Sequence, residues 1–378
     1  MGGPVENVPG YQTVRITAPA TPVAELADSE AWKARAAYPS AAFVSTVFGV
    51  AQEREEGGWE LHPYFGALAP QDARDSMGGH FRRLAEDSGQ AGDQAAHDEC
   101  MRAGVRMDWE PLDEATVLGI RYRVIRADQF VRSGPAGPER PRPTDPDPGE
   151  PDNARAVPDP AAGFVIDPVR AVSFAEGMLR VDLLGLMPGE SMVPRDVHED
   201  AVNAARTHPG GVLLPPAFMA AEQGEGRWGA SLHETSPTPQ GARDALAGYL
   251  RAIVPWQLSL SAEQRAVYSA AADRLSEERA DELTVAGRTF RIVRVERLVR
   301  IGPDGPEGPR PSDPDPQPPV MVQDQQMRAQ GLISDEEDEN ESRELSDDAS
   351  ALLQIISEEQ ERRSERIAKR AARRPGPS

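Results

Sequence analysis

The sequence predicts an α+β protein made of two tandem pseudo-repeats, each a small antiparallel sheet with packed helices and a Pro-rich extended strap. Two observations carry this prediction: a long stretch recurs without a gap, and in each copy alternating apolar and polar residues precede the strap. A third is a tail of different composition. We expect copy 1 over residues 13–148, copy 2 over 160–316, a disordered acidic linker over 317–348 and a charged C-terminal helix over 349–373.

The Pro-rich part of the repeat is its clearest signal. Residues from Gly119 to Pro148 match residues from Gly287 to Pro316 at roughly 17 of about 30 positions. Both stretches end in GPxGPExPRP[TS]DPDP, called here the first strap (Gly134–Pro148) and the second strap (Gly302–Pro316). Proline fixes φ and pushes the preceding residue towards an extended conformation. Each strap is therefore expected to be stiff and polyproline-like.

Three interpretations of the straps remain open from the sequence. In the first, the strap is structural, and its aspartates (Asp145 and Asp147, or Asp313 and Asp315) lie against arginines of the same copy. In the second, the strap is a Pro-rich motif that binds a partner protein. In the third, it is a simple linker. A linker needs only length and stiffness, so the retained detail favours the structural interpretation.

Each copy is expected to start with a short strand, Thr13–Ile16 or Leu179–Leu183, followed by a helix that ends before a proline. A hairpin comes next, with Phe43–Gln52 as its first strand in copy 1. A further helix opens at Pro70 or Pro239, where the missing N–H of proline has no helical partner to lose.

The last strand of each copy has the plainest periodicity. In copy 1, Leu118, Ile120, Tyr122 and Val124 alternate with glycine and arginine. A period of two predicts one apolar face against a core and one polar face towards water.

Paired arginines dominate the candidate binding residues. In the repeated QxARDxxxGxxxR pattern, Arg74 and Arg82 share one helix face, as do Arg243 and Arg251. Such a face suits an anion or an acidic partner. The structural alternative is that the arginine stems pack over the sheet and their heads pair with Asp or Glu. The complete candidate surface is Arg74, Asp75, Arg82, Arg243, Asp244, Arg251, Arg132 and Arg300.

Arg132 and Arg300 belong to a second repeated set. This set lies in the last strand of each copy and also includes Arg123 and Arg126. These side chains are expected either to line a basic cleft or to pair with the strap aspartates.

Composition excludes several classes of function. The net charge of −21 disfavours nucleic acid as a partner. The single cysteine, Cys100, excludes an internal disulfide and a cysteine-based metal cluster. The histidines lack metal-ligand spacing, and no phosphate-binding or nucleophile-elbow motif occurs, so we predict no catalytic, cofactor or metal residues. Without a signal peptide or membrane span in the sequence, a cytoplasmic location is expected.

The blocks PQDARDSMGGHFRRLAED and VRxGPxGPExPRPxDPDP resemble an actinobacterial family of uncharacterised proteins, known as a domain of unknown function. The resemblance covers most of residues 13–316 and leaves the tail outside. It implies a bacterial cytoplasmic setting, and no activity, substrate or cofactor.

Two hypotheses for the function follow. The first is a non-enzymatic binding or scaffold protein on a duplicated α+β unit, with a protein partner at the C-terminal helix or the straps. The alternative is an enzyme with a small-molecule site at the junction of the two copies.

Overall fold

The computed structural model describes residues 9–63, 65–153, 157–230, 234–331 and 347–373 of a mixed α+β protein. Its helices are α1 (Pro22–Ala37), α2 (Pro70–Gln90), α3 (Gln94–Trp109), α4 (Phe174–Leu184), α5 (Arg195–Thr207), α6 (Pro239–Gly248), α7 (Val254–Gln257), α8 (Ala262–Glu278), α9 (Val320–Ala329) and α10 (Asp347–Arg373). Its strands are β1 (Ser40–Glu53), β2 (Trp59–Leu61), β3 (Glu114–Val117), β4 (Ile120–Gly134), β5 (Gly137–Pro138), β6 (Val165–Ile166), β7 (Gly210–Gly224), β8 (Arg227–Ala230), β9 (Glu282–Val285), β10 (Arg288–Gly302) and β11 (Gly305–Pro306).

The strands form one eleven-stranded sheet rather than the separate small sheet that the sequence predicted for each copy. The main path runs β6–β2–β1–β4–β10–β7–β8. The short strands β3 and β5 pair with β4, whereas β9 and β11 pair with β10. The last strands of the two copies, β4 and β10, are neighbours in this sheet. Periodicity shows which residues of a strand share a face. It does not show which strand forms hydrogen bonds with each strand edge, so the pairing of β4 with β10 could not be predicted from the sequence.

The chain folds into two compact units, and neither contains one predicted copy alone. Unit 1 comprises the described residues within 1–132, 160–215 and 296–337, and unit 2 those within 133–159, 216–295 and 338–378. The second strap thus belongs to unit 1, which also holds most of copy 1. The first strap belongs to unit 2, with residues 216–295 of copy 2.

Unit 1 has its helical core under α2. Met77 and Phe81 of α2 are fully buried and pack in one cluster with Phe48 of β1 and with Tyr122 and Val124 of β4. Burial of each large side chain contributes about 2–3 kcal/mol to folding. The sequence-predicted apolar face of β4 therefore exists at Tyr122 and Val124.

The same arrangement occurs in unit 2. Leu246 of α6 and Leu250 directly after it pack in one cluster with Phe218 of β7 and with Phe290 and Ile292 of β10. After Gly248 the helix widens into a π-helical turn and continues as α7, which contains Pro255. Proline has no N–H to donate to the preceding turn, which accounts for the break. Its counterpart α2 runs unbroken to Gln90.

Several predicted elements are confirmed. The hairpin of copy 1 forms from β1 and β2, which pair antiparallel from Ala51 opposite Leu61 to Glu53 opposite Trp59. Helices α2 and α6 begin at the prolines that the sequence indicated.

The strand predicted over Leu179–Leu183 is wrong, because these residues lie in α4. Ser173 caps the helix by accepting a hydrogen bond from the Glu176 N–H. Leu179 and Leu183 are buried four residues apart, while Val181 is 52% exposed, so the true period is helical. The strand predicted over Thr13–Ile16 is reduced to one isolated bridge, Ile16 with Val172.

The last strand also differs from its prediction in two ways. Leu118 is not in the strand but in a tight turn with Gly119, at φ values of +52° and +76°. In addition, β4 is buried on both faces, since Arg123 lies on the face predicted to be polar and Arg126 on the opposite face, and both are buried. The second strap covers their guanidinium groups, as described below.

In the tail, residues 320–329 form α9 inside the segment predicted as a disordered linker. This segment lies after the last proline of the proline run, Pro319, and before the acidic run. Neither the prolines nor the acidic run therefore prevents a helix from Val320 to Ala329. Residues 332–346 of that linker lie outside the described residues. The predicted C-terminal helix is confirmed as α10.

Candidate functional site

Arg74, the first arginine of the repeated pattern, is buried at the start of α2. Its guanidinium pairs with Asp315 of the second strap and, at 2.7 Å, with Asp113. Asp315 also accepts a hydrogen bond from the backbone N–H of Gln71 at 3.0 Å. A carboxylate at the first turn of a helix is favourable because the N–H groups there lack helical partners. One strap aspartate therefore binds both the helix end and the buried arginine.

Unit 2 repeats this arrangement with the other strap. Arg243 pairs with Asp147 of the first strap and with Asp281, each at 2.6 Å. The backbone N–H of Gln240 donates to Asp147 at 2.7 Å.

The straps are thus exchanged between the two copies. The sequence predicted that the strap aspartates lie against arginines of their own copy, and this is wrong. Arg126 of copy 1 pairs with Asp313 of copy 2 at 3.0 Å, and Arg294 of copy 2 pairs with Asp145 of copy 1 at 3.1 Å. Repeated copies carry the same residues, so composition and spacing fit an own-copy pairing equally well. Only the chain path distinguishes the two.

Glycine in each strap permits a close approach to tryptophan. A Cβ at Gly305 would lie 2.5 Å from the Trp59 ring nitrogen, and one at Gly137 would lie 2.7 Å from that of Trp228. Both glycines also have positive φ, +111° and +96°. The GPxGP pattern is therefore a requirement of strap packing.

The remaining candidate arginines are also engaged within their units. Arg82 pairs with Asp108, and Arg251 pairs with Asp273 at 2.6 Å and with Glu359 of α10 at 3.4 Å. Arg132 donates to the Tyr38 carbonyl after α1, and Arg300 donates to the Leu184 carbonyl at the end of α4. Guanidinium groups near a helix C-terminus satisfy carbonyls that have no helical donor.

The two repeated aspartates have different surroundings. Asp244 accepts from the backbone N–H of Asp152 at 2.9 Å and from Gln240. Asp75 accepts from Gln71 at 2.8 Å and borders a cavity of about 330 Å³ on the surface of α2. Partial burial raises the pKa of the Asp75 carboxyl.

This α2 cavity also contains imidazole chemistry. Its wall includes His62, whose ring centroid lies 4.3 Å from that of His80. Burial lowers the pKa of His62 to about 4, with a further contribution from His80 and Arg83. The Nε2 atom of His80 is buried and has no hydrogen-bond partner among the residues that the structure describes. Both rings are therefore neutral near pH 7 and interact as hydrogen-bonding and aromatic groups.

A larger cleft lies beside the second strap in unit 1 and has a volume of about 660 Å³. We call it the strap cleft. It is lined by Tyr11, Gln12, Asp113, Glu114, Arg123, Arg206, Thr207, His208, Pro209, Pro303, Asp304, Pro306, Gly308 and Pro309. Residues from both copies line it, together with the segment before α1.

Ion pairs fix the strap-cleft wall. Arg123 binds Glu114 at 2.7 Å, binds Asp304 and donates to the Pro306 carbonyl. Arg121 also pairs with Glu114 and Asp304, each at 2.6 Å. The pKa of Asp304 lies well below its usual range. The main cause is the hydrogen bond from Arg121, followed by the hydrogen bond from Arg123.

The C-terminal end of α5 also lines the strap cleft. Arg206 is exposed, and its guanidinium donates to the Asn203 side chain at 2.8 Å. Burial lowers the pKa of His208, so its ring is neutral near pH 7. Neither Arg206 nor His208 is among the candidate residues predicted above, because neither recurs in the other copy. The sequence feature that could have indicated this cleft is a difference between the two straps, not a shared residue. The second strap has Gly308 where the first strap has Arg140.

Comparison with known proteins identifies the family. The family model described as "Family of unknown function (DUF5954)" matches residues 21–316. The chain belongs to this family. The matched residues of the DUF5954 family include both straps and both QxARD helices, and they end before α9. No curated protein and no solved structure is detectably similar to the chain.

Among the described residues, no helix combines the length and apolar character needed to cross a membrane. In the same ranges, no group of three or more His, Cys, Asp or Glu side chains is placed to hold a metal ion.

Proposed function

We propose that this chain is a non-enzymatic binding protein and that its ligand occupies the strap cleft of unit 1. The observation that carries the proposal is a cleft of about 660 Å³ with a wall held by ion pairs before any ligand arrives. A volume of this size suits a small molecule. A wall that is already ordered adds little entropy cost to binding, because few side chains must be immobilised.

The repeated arginines already pair with carboxylates of the protein itself. This favours a binding function over catalysis at the repeated positions. Arg74 and Arg243 are buried against strap aspartates, so their charges stabilise the fold. An enzyme with its site at the junction of the copies is the alternative, since residues of both copies line the strap cleft. Recovery of an unaltered ligand favours binding, whereas its conversion during incubation favours the enzyme.

The same proposal includes a cellular location and a protein partner. A bacterial cytoplasmic setting agrees with the single cysteine, which is buried and free. A protein partner at α10 is a secondary proposal, supported by Leu353, which is 50% exposed on that helix.

The test is ligand-dependent thermal stabilisation of the full-length protein, together with native mass spectrometry of protein isolated from its own cells. The informative variant is Gly308→Arg, which gives the second strap the residue that the first strap has. The matched control is Gly308→Ala, because among the described residues a Cβ there has one neighbour within 4 Å, the Val124 carbonyl oxygen at 3.5 Å.

A ligand should stabilise the wild type and Gly308→Ala by RT ln(1 + [L]/Kd), which is about 2.7 kcal/mol at a hundredfold excess over Kd. The same ligand should leave Gly308→Arg unchanged. Equal stabilisation of all three proteins would place the ligand elsewhere and overturn the proposal.

A further inference from the structure

The α2 cavity lies in unit 1 and shares no lining residue with the strap cleft. Its volume of about 330 Å³ is sufficient for a small molecule. Two side chains of its lining, Asp75 and Arg83, are charged and form no ion pair with a described residue. The cavity therefore offers one anion and one cation to a ligand.

Asp75 keeps most of its hydrogen-bonding capacity. The Gln71 side chain donates to its Oδ1 atom at 2.8 Å, and no other described group donates to this carboxylate. A carboxylate has about four lone-pair sites, so acceptor sites remain on both oxygens. Burial raises the pKa of Asp75, and the charges of Asp72 and Asp108 raise it further, while Arg74 opposes them. Burial and like charges disfavour a carboxylate without a counter-charge, so a cation is the favoured ligand group here.

The equivalent carboxylate in unit 2 shows how this helix position is used when a second donor is present. Asp244 accepts from Gln240 at 2.9 Å, and this bond matches the glutamine bond to Asp75. Asp244 also accepts from the backbone N–H of Asp152 at 2.9 Å. In unit 1 the described chain supplies the glutamine alone. The second donor at Asp75 is therefore left to a ligand.

Arg83 supplies the cation of the cavity. Its side chain is exposed, and a Cβ at Gly79 would lie 3.6 Å from its Nη1 atom, so the guanidinium folds back along α2. The pKa of His62 in the cavity wall is lowered by burial, then by His80 and then by Arg83, so the Arg83 charge lies near that wall. Within the described ranges, no carboxylate lies within 4.0 Å of this guanidinium. Copy 2 has Ala252 at the equivalent position, so the pair of charges is specific to unit 1.

The two charges lie apart along α2. Gly79, beside the Arg83 guanidinium, comes four residues after Asp75, which is about 6 Å along the helix axis. Pro63 and Ala73 contribute apolar surface to the cavity lining. An α-amino acid is too short to reach both charges, because its ammonium group and its carboxylate share one carbon. A ligand that reaches both needs an aliphatic chain between its charged ends.

We infer that the α2 cavity is a second binding site, for a small ω-amino acid whose ammonium group binds Asp75 and whose carboxylate binds Arg83. A guanidinium binds a carboxylate through two parallel hydrogen bonds, and the ammonium group donates to the open acceptor sites of Asp75. The ligand thus neutralises two charges that the described chain leaves without a counter-charge. This site does not depend on a ligand in the strap cleft.

The experiment is isothermal titration calorimetry of the full-length protein with three probes of similar chain length. The first, 6-aminohexanoate, carries both charged groups. Hexanoate lacks the ammonium group, and hexylamine, which is protonated at neutral pH, lacks the carboxylate. We expect 6-aminohexanoate to bind at least about tenfold more tightly than either analogue, because each analogue loses a charge-assisted contact.

Variants separate the two ends of the cavity. Arg83→Ala introduces the residue type of copy 2 and should weaken 6-aminohexanoate binding about tenfold, with hexylamine binding unchanged. Asp75→Asn should weaken the binding of 6-aminohexanoate and hexylamine and leave hexanoate binding unchanged. The matched control is Arg102→Ala, which removes an exposed arginine of α3 outside the cavity lining and should bind like the wild type. An unchanged thermal unfolding midpoint checks that each variant is folded.

Equal binding of 6-aminohexanoate and either analogue would overturn the inference, as would the absence of binding at millimolar concentration. Wild-type affinity in Arg83→Ala would overturn it as well. Gly308→Arg distinguishes the two sites, because it fills the strap cleft and leaves the α2 cavity unchanged. Loss of 6-aminohexanoate binding in Gly308→Arg would assign the probe to the strap cleft and overturn the inference. Binding that survives Gly308→Arg but not Arg83→Ala would support it, whatever the outcome for the strap cleft.

Discussion

At the scale of single residues, the α2 cavity holds the clearest pH-sensitive group. The pKa of His62 is about 4, chiefly because the ring is buried, against about 6.5 in an unfolded chain. Between these values the unfolded state binds the proton more strongly, so the folded state loses stability as pH falls from 6.5 to 4. His80 shifts in the same direction for the same first reason.

We expect the free energy of unfolding to fall by about 2 kcal/mol between pH 7 and pH 5 through His62 alone. The measurement is urea denaturation at both pH values, for the wild type and for His62→Gln. Glutamine retains a hydrogen-bonding group towards Gln52, which lies 3.1 Å from the His62 Nε2 atom. The variant should lose most of this pH dependence. If its dependence matched that of the wild type, another group would be responsible.

The strap aspartates provide a second prediction at this scale. Asp315→Asn leaves Arg74 buried with one carboxylate, Asp113, instead of two. Loss of a charged acceptor next to a buried charge destabilises by about 1–3 kcal/mol. We expect that loss in chemical denaturation, and a similar loss for Asp147→Asn in unit 2.

The matched control is Glu55→Gln, which removes an exposed charge in the β1–β2 turn. It should change stability by less than about 0.5 kcal/mol. If Asp315→Asn were as mild as this control, the strap would be a linker rather than a structural element.

The candidate residues show how far sequence reasoning reaches at the residue scale. The pairing of arginine heads with carboxylates was predictable, because buried guanidinium groups require acceptors. Which strap supplies the acceptor was not predictable, since Asp145 and Asp313 are equivalent in sequence. The strap cleft was missed because repetition drew attention to shared residues, whereas the cleft depends on Gly308, which is not shared.

At the scale of elements, the sequence identified helices and strands by period and capping, and it failed where apolar alternation was short. The segment Leu179–Leu183 fits a period of two over five residues, yet buried leucines four residues apart and the Ser173 cap make it a helix. A five-residue window does not distinguish these periods, whereas an eleven-residue helix with its cap does.

The C-terminal helix α10 is attached to unit 2 by a small ionic network. Arg366 pairs with Asp152 at 3.1 Å and with Glu359 at 2.6 Å, and Arg363 donates to the Asp152 carbonyl at 2.6 Å. Asp152 itself is only 3% exposed. Partly buried charges of this kind are costly to leave without their partner.

Arg366→Gln should therefore loosen α10 while the sheet is unaffected. We expect faster amide hydrogen exchange in peptides that cover residues 352–368, and unchanged exchange in β10. The control Arg362→Gln breaks only an exposed pair with Glu358, worth about 0.5 kcal/mol or less. Equal exchange in both variants would show that apolar contacts, rather than the Asp152 network, hold the helix.

At the scale of the whole molecule, the strap exchange means that a single copy lacks part of its own unit. Arg74 and Arg126 of copy 1 take carboxylates from the second strap, and the N–H of Arg126 donates to the Glu307 carbonyl of that strap at 2.9 Å. The sequence predicted a tandem duplication as a set of equivalent positions. The exchange was not, because equivalent positions are interchangeable in any argument from composition or spacing.

We therefore expect a fragment of residues 1–159, which holds copy 1 and the first strap, not to fold as a stable monomer. In this fragment Arg74 keeps Asp113 and Arg126 keeps Asp128, but both lose their strap carboxylate. Each loss of a charged acceptor beside a buried charge destabilises by about 1–3 kcal/mol, and the two losses together approach the stability of a small domain. Two such fragments could complete each other by exchanging straps, because the aspartates of the first strap match those of the second. Light scattering coupled to size exclusion, together with circular dichroism, should show an unfolded monomer or a folded dimer. Replacing Asp145 and Asp147 by Asn should abolish the dimer. A folded monomer with cooperative unfolding would mean that the straps are dispensable and that each copy is a domain by itself.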